Sequence, residues 1–269
     1  MSDKPQVTAV ITTCARPHYV YEALDSVCAE MHENIECLVV DDGGTFELRD
    51  VDSRVDIRVV RGEKLGVGHA RNVGLAAARG EFVIFLDDDD VALPHRIATL
   101  LDAATRVHAD LCFGMTRRVV TDSGMVLPDV PTRLMSSGPV GFLDLLACAP
   151  HINSVLVRTA VLRSVGGFDI GAEHFDDWSA WLRIADQNAT MWCVGEVVAE
   201  WRIHSDGLTG DVSRKRAMKH RLLTLFDRLH SELSQEHAPA IDAARSMVAA
   251  SELVTYDQYA AAMASSASH

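Results

Sequence analysis

A run of apolar residues that ends in four consecutive aspartates constrains this chain more than any other feature. Phe82 to Leu86 reads FVIFL, and Asp87 to Asp90 follow it directly. Five apolar residues are too few for a helix and too hydrophobic for a surface, so they predict a buried strand of a parallel sheet. The acids then lie at the carboxyl end of that strand, which is where open α/β sheets bind ligands.

Four neighbouring carboxylates repel one another, and a divalent cation with oxygen ligands would relieve that repulsion. The stretch therefore predicts a metal-assisted phosphate or nucleotide site. A solvated acidic loop at a strand end is the alternative that these residues leave open.

The same order of strand, polar loop and helix recurs along the first hundred residues. The predicted strands are Val7–Thr12, Ile35–Val40 and Asp56–Arg61, and the predicted helices begin at Pro17 and at about His69. Strands that alternate with helices indicate βαβ units with right-handed crossovers. We therefore expect an α/β fold whose mostly parallel, Rossmann-like sheet is flanked by helices.

The second half of the chain has weaker patterns. We predict a helix after Pro94, then a strand from Asp110 that continues into a hairpin, a strand at 154–158, a helix from Asp177 and two strands at 191–198 and 201–203. Residues 127–138 predict a long loop, either one that binds an acceptor or a disordered insertion. The remainder predicts a C-terminal helical extension. Its two apolar stripes would either cover the domain's own core or pair with a second subunit as a homodimer.

Composition excludes several classes of protein. The net charge of -13 over 269 residues argues against nucleic-acid binding, which needs clustered Lys and Arg. Six scattered cysteines without a CxxC pair suggest neither a zinc knuckle nor a disulfide framework, so a reducing cytoplasm is the expected setting. Residues 1–6 do not resemble a signal peptide, and there is no apolar run long enough for a transmembrane segment.

Basic residues are concentrated where the C-terminal helices begin. The cluster consists of Arg214, Lys215, Arg216, Lys219 and Arg221. A solvated helix face is the simpler interpretation, and peripheral contact with an anionic membrane or partner is the alternative.

Several local motifs allow two interpretations each. The sequence Gly66-Val67-Gly68 precedes a helix, but Arg71 stands where a dinucleotide fingerprint has its third glycine. At a helix start, Arg71 would either reach a diphosphate or pair with an acid. Asp176 and Asp177 would carry charge at the positive end of a helix dipole, and His204 is either a surface histidine or a ligand. The motifs of zincins, α/β-hydrolases and P-loop enzymes are absent.

The order of these motifs is more specific than any of them alone. VTAVITTCARP, LVVDDGG, GVGHARNVGLAAARGEFVIFLDDDD, GGFD with FDDW, and WRIH follow one another in the chain. Together they resemble the family 2 glycosyltransferases, which are nucleotide-sugar enzymes of the GT-A fold. The resemblance covers about residues 6 to 209 and is most specific through residue 95.

The resemblance implies a role for each candidate site residue. The nucleotide's base and ribose would be bound by Thr12, Cys14, Arg16, Asp41 and Asp42. Arg71 would lie near the diphosphate and ribose, Asp87 would face the ribose, and Asp88 would complete the donor site. Asp89 would hold Mn²⁺ or Mg²⁺ with the help of His204, and Asp177 would be the catalytic base. Cys14 departs from the family's usual aromatic residue, and Asp176 from its usual Glu.

The resemblance further implies an inverting transfer from a nucleotide diphosphate sugar, with a UDP-sugar favoured, to a saccharide or small-molecule acceptor. Residues 1–109 would form the donor-binding half of a domain and residues 110–211 its acceptor-binding and catalytic half, followed by the extension at 212–269. Two rival functions remain open, a sugar nucleotidyltransferase and a non-catalytic nucleotide-sugar-binding partner subunit. The loop TTCARP lacks the glycines that the first of these usually carries after its first strand.

Overall fold

One mixed sheet flanked by helices forms the centre of the computed structural model, which describes residues 5–44, 46–49, 55–127, 136–171, 174–204, 212–250 and 256–266. Its strands are β1 (Val7–Thr13), β2 (Ile35–Asp41), β3 (Asp56–Arg61), β4 (Phe82–Asp87), β5 (Val91–Ala92), β6 (Leu111–Val120), β7 (Met125–Val126), β8 (Gly138–Pro139), β9 (Val155–Arg158) and β10 (Met191–Ile203). The helices are α1 (Pro17–Cys28), α2 (Val67–Ala77), α3 (Arg96–Val107), α4 (Phe142–Ala147), α5 (Thr159–Ser164), α6 (Asp176–Asp186), α7 (Val212–Glu232), α8 (Ala238–Ala250) and α9 (Tyr256–Ser266).

The first four long strands are parallel and lie in the order β3-β2-β1-β4. Thr12 is opposite Asp87, and Thr13 is opposite Asp41, so β1, β2 and β4 end at the same level. This register brings Thr12 and Thr13 at the end of β1, Asp41 at the end of β2 and Asp87 at the end of β4 to the same end of the sheet. The four predicted strands are confirmed, and so is the predicted burial of Phe82 to Leu86.

The sheet continues with β9, β6, β10 and β5. The short strand β9 is antiparallel to both β4 and β6, while β10 is parallel to β6. Because β9 runs the opposite way, the 3-10 turn Ile152–Ser154 that precedes it lies at the edge where β4 ends. Because β10 runs the same way as β4, its last residues reach that edge as well. The end of β1, the turn before β9 and the end of β10 therefore all lie close to the four aspartates.

Several details differ from the predictions. The spacing of apolar residues after Pro17 would place Met31 on the buried face of the first helix, but α1 ends at Cys28 and Met31 is 60% exposed. The two predicted late strands are one strand, β10, whose pairing is irregular between Cys193 and Ala199. The sequence did not indicate α4 and α5, since six residues are too few for a helical period to be recognised. Most of the predicted loop, residues 128–135, lies outside the described residues.

The C-terminal helices pack on the chain's own core. Their two predicted apolar stripes are buried, and they consist of Leu222, Leu225, Phe226 and Leu229 on α7 and Ile241, Ala244 and Val248 on α8. They share one hydrophobic cluster with Trp178 and Trp181 of α6. The side chains of Arg214, Lys215 and Arg216 lie outside the described part of the chain. Among the described helices, none combines the length and the hydropathy needed to cross a bilayer.

Candidate functional site

An open cavity of about 760 Å³ lies where β1, β4 and β10 end. Eight of the eleven predicted site residues line it: Thr12, Cys14, Arg16, Asp42, Arg71, Asp87, Asp89 and Asp177. Asp88 and His204 lie behind this wall and contact Arg16 and Asp89, which line it. Asp41 is the exception. It is fully buried and binds the backbone N–H groups of Gly43, Gly44 and Phe46, so in this structure it organises the loop after β2.

The four aspartates at the carboxyl end of β4 alternate in how many of their oxygens accept hydrogen bonds. Both oxygens of Asp88 accept hydrogen bonds, one from Thr13 Oγ1 at 2.6 Å and one from Arg16. Both oxygens of Asp90 are also engaged, by the side-chain amide of Asn153 and by the backbone N–H of Arg202. These two carboxylates are held by the protein itself. They are buried, with 0% and 2% of their surface exposed.

Asp87 and Asp89 each keep one oxygen that accepts no hydrogen bond from the described residues. Asp87 binds Thr12 and Arg71 through Oδ1 alone. Asp89 binds Arg16 (2.7 Å) and His204 Nε2 (3.1 Å) through Oδ2 alone. Carboxylate oxygens that the protein leaves available suit a hard divalent cation such as Mg²⁺ or Mn²⁺. The residues present therefore fit a metal ion on the first and third aspartates of the run.

Another group of possible metal ligands overlaps with this one. Asp87, Asp90 and His151 offer ligand atoms within 4.8 Å of one another. However, both oxygens of Asp90 already accept hydrogen bonds. The backbone N–H of Asn153 donates to His151 Nδ1 at 3.4 Å, which places the hydrogen of the neutral ring on Nε2. We therefore favour Asp87 and Asp89 over this triad.

Burial and neighbouring charges separate the pKa values of these acids. Burial raises the pKa of Asp88 to about 6, and it raises the pKa of Asp90 well above its ordinary value. Burial is the largest single influence on Asp87 and opposes its ionisation, but the charge and hydrogen bond of Arg71 together with other nearby cations outweigh it and hold the pKa of Asp87 below its usual range. Burial lowers the pKa of His151 to about 4, so its imidazole is neutral at physiological pH.

Arg71 pairs with two acids from different parts of the chain. It is 5% exposed, and its guanidinium donates to Asp87 at 2.8 Å and to Asp176 at 2.7 Å. Of the two roles that the sequence leaves open for Arg71, the structure shows the ion pair with an acid. Arg71 also lines the cavity. The first turn of α2 lies close to the loop before α6. Gly68 has no room for a side chain there, since a Cβ at this position would lie 2.3 Å from the carbonyl oxygen of Asp169. Arg71 therefore links the acid run to α6.

Asp177 is a further carboxylate that lines the cavity. It lies in the first turn of α6, and its Oδ1 accepts the N–H of Trp178 at 2.8 Å. Burial, followed by the charge of Asp176, raises the pKa of Asp177 to about 7. A carboxylate with such a pKa can exchange a proton near neutral pH, as a general base must.

The C-terminal extension supports the helix that carries Asp177. Trp178 Nε1 donates to the carbonyl of Leu145 at 2.7 Å, and the hydroxyl of Tyr259 donates to the carbonyl of Leu146 at 2.7 Å. The Trp178 ring also packs against Phe226 of α7 and Tyr259 of α9. Residues outside the stretch that resembles the family thus fix the start of α6.

Sequence reasoning missed several residues of the cavity wall. His151 stacks on Trp201 with ring centroids 4.8 Å apart, and Lys64 and Arg202 add positive charge. Asn153 is fully buried between the acids, where it also accepts the N–H of Asp87. Arg202 follows Trp201 in the WRIH motif, which offered a signal. His151 and Asn153 had none, because only the antiparallel strand β9 brings them to this edge.

The comparisons with known proteins agree with this architecture. Residues 8–131 match a family model described as glycosyl transferase family 2. An uncharacterised glycosyltransferase of Nostoc sp. is 28% identical over 180 residues, which cover 61% of this chain and 54% of that protein. Glycosyltransferase GlyA of Streptococcus pneumoniae is 31% identical over 114 residues, which cover 40% of this chain and 16% of its own length. The chain thus spans about half of the Nostoc relative.

Solved structures show the same fold. Residues 1–349 of TarS from S. aureus, in complex with UDP-GlcNAc, match with a TM-score of 0.71 at 19% identity, over 90% of this chain and 72% of that one. Mannosyltransferase PcManGT from Pyrobaculum calidifontis, in complex with GDP-Man and Mn²⁺, matches with a TM-score of 0.65 at 16% identity, over 99% and 76%. At these identities the likeness establishes the fold, and the expected α/β, GT-A type of sheet flanked by helices is confirmed.

The ion pairs of Arg71 predict a pH-dependent loss of stability. Arg71→Met leaves Asp87 and Asp176 buried without their cation, which we expect to lower the free energy of unfolding by about 3–5 kcal/mol at pH 7.5 in EDTA. In the wild type the pKa of Asp87 is depressed, so this stabilisation is present above the ordinary carboxyl pKa and is lost as pH falls through the folded value. In Arg71→Met, burial without the cation raises the pKa of Asp87, so this carboxyl takes up its proton earlier than in the wild type as pH falls, and the difference between the two proteins should shrink toward pH 4.

Urea unfolding between pH 4 and 8 measures this difference. Arg245→Met is the matched control, since Arg245 makes an exposed pair with Asp227, which solvent screens, and its loss should change the free energy of unfolding little. Equal losses for the two variants, or a loss for Arg71→Met that does not change with pH, would contradict the assignment.

Proposed function

We propose that this chain is a family 2 glycosyltransferase, which transfers a sugar from a nucleotide diphosphate sugar to the hydroxyl of an acceptor. One observation carries the proposal. A single cavity presents two carboxylate oxygens that suit a metal, on Asp87 and Asp89, together with a separate carboxylate, Asp177, whose pKa is raised to about 7. These are the parts that a metal-assisted transfer to a hydroxyl requires.

The donor would bind in the half of the cavity formed by residues 1–109. The loops there contribute Thr12, Cys14 and Asp42, and Asp42 is positioned by the backbone N–H groups of Lys64 and Gly66. We favour a UDP-sugar, and support comes from the nucleotide named in the TarS complex. The GDP-Man named in the PcManGT complex supports a nucleotide diphosphate sugar more generally.

Mn²⁺ or Mg²⁺ would be held by Asp87 and Asp89. When bound, the cation supplies charge neutralisation for the departing diphosphate. The protein's part is to fix the two carboxylates in position. Arg71 does this for Asp87 through its ion pair, and His204 does it for Asp89 through a hydrogen bond that Tyr19 supports from the other ring nitrogen at 3.4 Å.

Asp177 would act as the general base. The acceptor oxygen attacks the anomeric carbon, the bond from that carbon to the diphosphate breaks, and the hydroxyl proton passes to Asp177. Asp176 cannot share the work as long as it pairs with Arg71. With one available carboxylate on the acceptor side, we propose direct displacement with inversion at the anomeric carbon.

The two rival functions receive less support. A nucleotidyltransferase would use the cation of its first loop on the substrate triphosphate, whereas Arg16 here pairs with Asp88 and Asp89. A partner subunit without activity would have no need of a base, yet Asp177 lines the same cavity as the donor-site acids. The acceptor would be a saccharide or small molecule, recognised by the residues between 110 and 211.

A thermal-shift panel tests the donor site. Each of UDP, GDP, dTDP and CDP sugars is added with Mn²⁺ and again with EDTA, because a ligand that binds only the folded state raises its melting temperature. We expect one base to give a shift that EDTA removes, and Asp89→Asn to lose the metal-dependent part of that shift. Asp102→Asn, which changes an exposed aspartate of α3, should behave as the wild type. If no nucleotide shifts the wild type, the donor site is wrong.

The pH dependence of transfer tests the base. Because the pKa of Asp177 is raised to about 7 and the ionised form is active, kcat/KM should rise with pH through about 7 and then level off. Asp176→Asn removes the second cause of that raised pKa, so it should move the rise to lower pH.

Substitution of the base itself completes this test. Asp177→Asn should lower kcat by roughly 10²- to 10⁴-fold while the thermal shift with the donor is kept. Near-normal turnover of Asp177→Asn, or a profile that Asp176→Asn moves to higher pH, would show that another group takes the proton.

A further inference from the structure

Arg16 lies in a position that its expected role does not explain. The resemblance assigns it to the base and ribose of the donor, but both terminal nitrogens of its guanidinium are engaged by the acid run. Nη1 donates to Asp89 Oδ2 at 2.7 Å, and Nη2 donates to Asp88 Oδ1. The guanidinium thus bridges the second and third aspartates.

The carboxylate of Asp89 would be shared between this guanidinium and a metal ion. Its Oδ2 accepts from Arg16 and from His204, and its Oδ1 is the oxygen that fits a cation. A guanidinium and a divalent cation on one carboxylate repel each other, and the repulsion is strong because the site is partly withdrawn from water. Occupation by one therefore weakens the other.

Arg16 is the replaceable cation of the site. Arg71 is 5% exposed and holds two carboxylates, so it cannot leave without uncovering both. The Arg16 side chain is 30% exposed, and its partner Asp88 would still accept a hydrogen bond from Thr13 if Arg16 moved away. The loss of Arg16 from its present position would therefore leave none of these buried carboxylates without a donor.

We propose that Arg16 is a built-in counter-ion that competes with the divalent metal for Asp89 and so sets the metal affinity of the site. The inference rests on the metal site of the proposed function and deepens it. Arg16 stabilises the acid run in the metal-free protein. When the metal binds, the displaced guanidinium remains on the cavity wall, where a diphosphate is the anion it would pair with.

The two possible roles of Arg16 predict different effects of its removal on the affinity for the metal. If Arg16 only touched the nucleotide, its removal would leave the affinity for the metal alone unchanged. If it competes with the metal, a neutral residue at this position tightens metal binding in the absence of any nucleotide.

Titration of Mn²⁺ into the nucleotide-free protein at pH 8, with free Mn²⁺ followed by electron paramagnetic resonance, measures this affinity. We expect Arg16→Gln to lower the Kd for Mn²⁺ by about tenfold, since it removes one positive charge next to the ion. Arg16→Lys keeps the charge and should stay near the wild type. Lys64→Gln is the matched control, because Lys64 is an exposed cation of the same cavity that makes no ion pair with residues 87–90 among the described contacts.

The outcomes separate the inference from the function on which it rests. If Mn²⁺ binds to the wild type and Arg16→Gln leaves the Kd unchanged or raises it, Arg16 does not compete with the metal. If Lys64→Gln tightens binding as much, the effect is one of net charge and the inference fails. If neither the wild type nor any variant binds Mn²⁺, the metal site itself is wrong. Thermal unfolding in EDTA verifies that each variant is folded, and Arg16→Ser repeats the test should Arg16→Gln fail to fold.

Discussion

The mutual repulsion of four carboxylates at the end of one buried strand is the constraint on which the rest of this structure depends. Such a run is stable only where other parts of the chain supply donors or positive charge. Here Thr13 and Arg16 come from the end of β1, Asn153 comes from the turn before β9, and the backbone of Arg202 comes from β10. The fold around the site is in large part the set of elements that brings these donors together.

The alternation of the carboxylates follows from their place after the strand. Two of them, Asp88 and Asp90, are buried and satisfied on both oxygens, so they fix the loop. The other two, Asp87 and Asp89, use only one oxygen each for these hydrogen bonds and keep the other for a ligand. A pattern of aspartates at every second position thus has a physical basis. Asp88 and Asp90 stabilise the loop, whereas Asp87 and Asp89 each leave one oxygen for a ligand.

The acid run is coupled to the proposed base through Arg71, which pairs with Asp87 on one side and with Asp176 on the other. The next residue, Asp177, is therefore placed by the same guanidinium that orders the proposed metal-binding side. The start of α6 is fixed from behind by Trp178, which packs on Phe226 and Tyr259 of the C-terminal helices. Those helices form part of the support for the site, although their sequence resembles no family motif.

The sequence alone determined the long parallel strands, the α/β class and eight residues of the cavity wall. It could do so because alternation of apolar runs with helical periods and the place of acids after strands are local properties. It did not predict His151 or Asn153. Their arrival depends on β9, a strand of four residues whose antiparallel direction has no local signal. Nor did it predict that Asp41 is buried in its own loop, or that Arg16 lies on two aspartates. Which partner a charged side chain takes depends on residues far away in the chain, and only the tertiary structure decides that.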